Sequence, residues 1–73
     1  MALKVQQVKE YQFWAGDFLK ARENAGLTQQ QLSEQLGFWS QQRISQIEGQ
    51  ILPITIHEHE LQKLQEILQI QLV

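Results

Sequence analysis

Residues 28–49 read TQQQLSEQLGFWSQQRISQIEG, and this stretch decides the fold. Thr28 is a good N-cap, and Gln31 three residues later completes the capping box S/T-x-x-E/Q. Leu27 before the cap and Leu32 at the fourth helical position form a hydrophobic staple that sets the angle of entry. Leu32 and Leu36 share one helical face. Gly37 marks the stop, because glycine takes a left-handed turn without a Cβ penalty. The logic then repeats. Ser40 is the second N-cap. Trp39 precedes it, and Ile44 is the fourth helical residue, which makes a second staple pair. Ile44 and Ile47 face inward, and Gly49 ends the helix. Two short helices around a tight glycine turn follow from these signals.

Working outward, Tyr11, Trp14, Phe18, Ala21 and Ala25 are spaced 3, 4, 3 and 4 apart, which places them on one helical face. This predicts a helix from about Glu10 to Asn24, ended by Gly26. Gly16-Asp17 offers an alternative start, with Asp17 as N-cap. Beyond Pro53, Thr55 and Glu58 form another capping box. Leu61, Leu64, Ile67 and Leu68 give the apolar stripe of a helix over about Ile56 to Gln69. The two chain ends, Leu3-Lys4-Val5 and QIQLV (69–73), alternate apolar and polar. They read as frayed termini or as short strands, and the first is favoured. With one proline and four glycines as punctuation, the expectation is an all-α bundle of about four to five short helices. One domain spans residues 1–73, with an N-terminal arm over 1–9, the helix pair over 28–48 and a tail over 70–73.

Composition narrows the functional classes. A chain of 73 residues with no cysteine has no disulfide framework and no thiolate metal site. No apolar run approaches the ~18 residues that span a bilayer. MALKVQQVKE lacks the apolar centre of a signal peptide, so a cytoplasmic location and no membrane partner are expected. The fifteen glutamines are spread through periodic segments, where they cover solvated helix faces. HEHE, residues 57–60, departs from the zincin pattern H-E-x-x-H because Leu61 stands at the second histidine position. His57 and Glu60 alone do not make the usual four-ligand zinc site. No Ser-His-Asp set or phosphate-binding glycine loop is present, so neither an enzyme nor a cofactor is expected. The net charge of −2 argues against binding nucleic acid by bulk electrostatics.

The motifs nevertheless point to nucleic acid. LKARENAGLTQQQLSEQLG followed by ISQIEG resembles the Cro/repressor-type (XRE-like) helix-turn-helix family. That family's pattern is an arginine on the first helix, then G-L-T-Q-x-x-L-x-x-x-L-G, then I-S-x-I-E. The matching residues are Arg22, Gly26, Leu27, Thr28, Gln29, Leu32, Leu36, Gly37, Ile44, Ser45, Ile47 and Glu48. The resemblance is tight over about Phe18 to Glu48 and loose as far as Ile70. It implies a lambda-repressor-like fold and a transcriptional regulator that binds double-stranded DNA, as a homodimer on a pseudo-palindromic site. A protein-interaction module on the same scaffold, such as an antitoxin or small adaptor with a protein partner, is the alternative. The acidic balance, the aromatic turn and the lack of Lys or Arg in GQILP (49–53) favour that second reading.

The resemblance also implies roles for individual residues. The helix beginning at Gln29 lies across the DNA backbone, with Gln29 and its first amides toward a phosphate. The helix after Ser40 enters the major groove. Ser40 then joins the phosphate contacts, and Gln41, Gln42, Arg43 and Gln46 face base edges. Glutamine suits adenine N6 and N7, and arginine suits guanine N7 and O6. Arg22 and Glu48 form a structural ion pair. The turn is one residue longer than the family pattern, and the extra residue falls at Phe38-Trp39, since the other register would bury Arg43 unpaired. Phe38 is expected in the core, with Trp39 stapled to Ile44. Ile70, Leu72 and Val73 are the candidate subunit contact, beside the N-terminal arm.

Overall fold

The computed structural model describes residues 9–73, so the alternating segment Leu3-Lys4-Val5 and most of the N-terminal arm lie outside the described residues. The element order is β1 (Glu10–Phe13), α1 (Ala15–Asn24), α2 (Gln29–Leu36), α3 (Gln41–Glu48), β2 (Ile54–His57) and α4 (Glu58–Ile67). Over the described residues the domain is mainly helical, with four helices and a small two-stranded antiparallel sheet.

The expected helical domain is present, and the small sheet is an addition that changes the element boundaries at two places. Glu10–Phe13 is a strand, not the first turn of a helix. It pairs with β2 in the register Tyr11↔Ile56 and Phe13↔Ile54. The 3-4 spacing of Tyr11, Trp14 and Phe18 was consistent with a helix. Tyr11 and Phe13 also alternate, however, and strand pairing turns that period of two inward. Phe13 is buried, whereas Trp14 and Ala25, which the helical reading placed inside, are exposed. Ile54 and Ile56 are buried on the opposing strand, so Thr55 cannot cap the last helix. His57 stands at that N-cap, and Glu60 Oε1 accepts from its backbone N–H at 2.9 Å.

The central helix pair forms where its local signals place it. Thr28 Oγ1 accepts from the Gln31 N–H at 3.1 Å, and Gln31 Oε1 accepts from the Thr28 N–H at 2.9 Å. Gly37 closes α2 with φ +79°, and Gly26 turns the chain after α1 with φ +72°, both in the left-handed region.

One core unites all the elements. Phe13, Phe18, Leu32, Ile44, Ile47, Ile56, Leu64 and Leu68 are completely or almost completely buried. Phe13 stacks on Phe18 with centroids 5.4 Å apart, and Phe18 meets the edge of Trp39 at 6.2 Å. Leu64 and Leu68 supply the inward stripe of α4, while Leu61 and Ile67 are half-buried at its margins.

The C-terminal tail is part of this fold. Ile70 is buried in the core, its backbone exchanges hydrogen bonds with the Gln65 side chain, and the Val73 N–H donates to Gln12 O on β1 at 2.9 Å. Ile70 therefore packs within its own chain, contrary to its expected place in a subunit contact.

Candidate nucleic-acid interface

The site is built around one carboxylate. Glu48, at the last residue of α3, accepts from Arg22 Nε at 2.7 Å and from Arg22 Nη2 at 3.1 Å, a two-pronged pairing. Arg22 Nη1 also donates to the Leu27 carbonyl at 2.8 Å. A third donor reaches Glu48: Gln29 Nε2, at 2.9 Å. One ion pair thus ties together α1, the loop before α2, the first residue of α2 and the end of α3. The side chains are 13% and 8% exposed, so little water competes for these bonds. The hydrogen bond that Arg22 donates to Glu48 is the chief cause that holds its guanidinium above the ordinary pKa. Burial opposes it, and the charges of Glu48 and Glu23 assist.

The turn between α2 and α3 is fixed by a second polar contact. Ser33 Oγ donates to the Trp39 carbonyl at 2.7 Å. That bond holds the backbone so that the Trp39 indole enters the core, where it is 9% exposed. Phe38 remains 40% exposed, with its ring against Trp39 at 5.1 Å. The expected placement of Phe38 in the core is therefore corrected. Trp39 occupies the interior place, and burying the larger indole removes more apolar surface from water.

On this frame α3 has two distinct sides. Ile44 and Ile47 are fully buried. Gln41, Gln42, Arg43, Ser45 and Gln46 are exposed. Ser40 caps the helix by accepting from the Arg43 N–H at 3.1 Å, and its own hydroxyl proton remains available to donate. Among the described residues Arg43 makes no ion pair. Beside this face is an open depression lined in part by Thr28, Gln29, Gln30 and Gln41, where the start of α2 meets the start of α3. The first helical N–H groups of α2, at Gln29 and Gln30, have no carbonyl partner within the helix.

The positions suggested by the resemblance thus separate into two groups. Ser40, Gln41, Gln42, Arg43 and Gln46 are all exposed at or near the start of α3. The Gln29 amide instead points at Glu48, which the sequence did not reveal because the two residues are 19 apart. Ser33 was also missed. Its partner lies six residues away across a turn, and no local motif marks it.

The helix-turn-helix family model matches residues 19–73. The chain belongs to this family. No curated protein and no solved structure gives a significant match. As a helix-turn-helix domain of the Cro/repressor (XRE) type, it has DNA as its implied partner and transcriptional regulation as its implied role. Domains of the family are non-catalytic. Among the described residues, no helix of this helix-turn-helix chain is long and apolar enough to cross a membrane.

Proposed function

We propose that this protein is a sequence-specific regulator that reads the major groove with α3 and acts as a homodimer on a pseudo-palindromic site. The observation that carries the proposal is the two-sidedness of α3. Ile44 and Ile47 fix the helix to the core, and this leaves Gln41, Gln42, Arg43 and Gln46 exposed to solvent. Each glutamine amide offers a donor and an acceptor side by side for adenine, and Arg43 offers a fork for guanine or a phosphate. The N–H groups of Gln29 and Gln30 and the Ser40 hydroxyl hold the backbone, aided by the partial positive charge at helix N-termini. The Gln29 side chain serves this contact indirectly, by holding the start of α2 against Glu48. A domain with net charge −2 relies on these few directed contacts instead of a basic surface. A second copy doubles the number of base pairs read, on half-sites ~34 Å apart. Binding to double-stranded DNA fits the expected cytoplasmic location.

In vitro selection of DNA sites with the purified protein tests the proposal. The selected sites should be pseudo-palindromes. On such a site, Gln41→Ala and Gln42→Ala should each weaken binding by about 1–3 kcal/mol while leaving the melting temperature unchanged. Failure to bind any DNA at ~50 mM salt, where electrostatic association is favoured, would refute it and favour the protein-interaction reading.

A further inference from the structure

The turn between α2 and α3 leaves one apolar ring outside the core. The large apolar side chains exposed among the described residues are Trp14, Phe38, Ile51, Leu52 and Val73. Only Phe38 falls within the helix-turn-helix stretch, residues 28–49. Its ring is held in place. Gly37 sets the backbone before it in the left-handed region, and the Ser33 hydroxyl holds the Trp39 carbonyl after it. The ring itself stands edge-on to the buried Trp39 indole, at an interplanar angle of 77°. Little ordering entropy therefore remains to be lost when Phe38 is covered. Ser40, two residues on, caps α3, and Gln41 is its first helical residue. Three residues of chain span at most ~11 Å. The Phe38 Cα thus lies within about three base-pair steps of the Gln41 Cα, at ~3.4 Å per step.

We infer that Phe38 reads a thymine methyl group in the major groove, beside the bases met by the start of α3. The inference rests on the DNA-binding reading above and adds an apolar specificity contact to its polar ones. Three observations select this occupant. The first is charge. From Asn24 to Ile47 the chain has a single acid, Glu34, although it has eight in all, so this stretch is the part of an acidic protein that a polyanion can approach. The second is size. Phe38 is an isolated apolar spot, because its exposed neighbours are Gln35, Gly37, Ser40, Gln41 and Gln42. One ring supplies far less than the ~800 Å² per partner that a standard protein interface buries, but it is ample to cover one methyl group. The third is chemistry. The base edges of the major groove present hydrogen-bond donors and acceptors, and the thymine C5-methyl is the apolar group among them. A phenyl ring held at the entry to α3 has that one apolar target within reach of the bases that Gln41 and Gln42 meet.

The test uses the full chain and the duplex obtained by site selection. Each thymine of that site is replaced in turn by deoxyuridine, which removes the methyl group and keeps the charge and the pairing. For the wild-type protein, one such replacement should weaken binding roughly fourfold, the worth of one buried methyl group. Phe38→Ala should stay folded, bind the thymine duplex more weakly, and no longer distinguish thymine from uracil at that position. Its responses at the other thymines should match those of the wild type. The inference is overturned if the selected site has no thymine, or if no replacement weakens wild-type binding. It is also overturned if Phe38→Ala loses affinity equally for the thymine and uracil duplexes at every position, which would give the ring only a supporting place against Trp39. An unchanged affinity of Phe38→Ala for the thymine duplex overturns it as well. A wild-type protein that binds no DNA at ~50 mM salt overturns the DNA-binding reading itself, and this inference with it.

Discussion

Glu48→Ala should lose about 3–5 kcal/mol of unfolding free energy. The substitution leaves the Arg22 guanidinium largely buried without its carboxylate, and it also releases Gln29. In a domain of this length 1 kcal/mol corresponds to a melting shift of about 4–8 °C, so the midpoint should fall by more than ~12 °C. The double variant Arg22→Ala with Glu48→Ala should lose less than the sum of the single variants, because no unpaired buried charge remains. Glu48→Ala melting like wild type would show that the pair contributes nothing. The pair's contribution should be flat across neutral pH. Arg22 has a raised folded pKa, so its stabilisation is fully present below the ordinary guanidinium value. It is lost only as pH climbs through the raised one, far into alkali.

Trp39→Ala should cost a comparable ~3–5 kcal/mol, since it empties an interior site against Phe18. The neighbouring Phe38→Ala should cost under about 1 kcal/mol, since that ring is 40% exposed and loses mainly its contact with Trp39. Urea unfolding of the two variants side by side is sufficient. Equal losses, or a larger loss for Phe38→Ala, would mean that the turn packs the other way. The comparison matters for function because Trp39 directly precedes the cap of α3. A cavity there loosens the base from which Gln41 and Gln42 project, so Trp39→Ala should weaken DNA binding through lost order of the helix.

The two turn aromatics show where sequence reading was sufficient and where it was not. The register of α3 was legible, because the alternative would bury Arg43 unpaired, and Arg43 is exposed while Ile44 is buried. Which ring would enter the core was not legible. That outcome depends on the Ser33 hydroxyl and on the face of Phe18, and neither neighbours Phe38-Trp39 in sequence. The first helix shows the same division. Phe18 and Ala21 are buried as the 3-4 spacing implied, but the residues before Ala15 belong to a strand. A run containing Tyr11, Phe13 and Trp14 satisfies both periods, and only a partner strand some 43 residues along distinguishes them. The apolar end of the tail was visible as a pattern, but its destination was not.

By itself, then, the sequence determined the central helix pair, the outward face of α3 and the family. Thr28 with Gln31, Ser40 with the Arg43 amide, and Gly37 each act within four residues, so their effect can be read from spacing alone. The tertiary structure alone decided the β1–β2 pairing, the exchange of Phe38 for Trp39, the turning of Gln29 onto Glu48, the burial of Ile70 and the exposure of Ile51 and Leu52. Each of these depends on which distant apolar surface or charged group is close enough to compete with water for a side chain. That is settled only when the whole core closes.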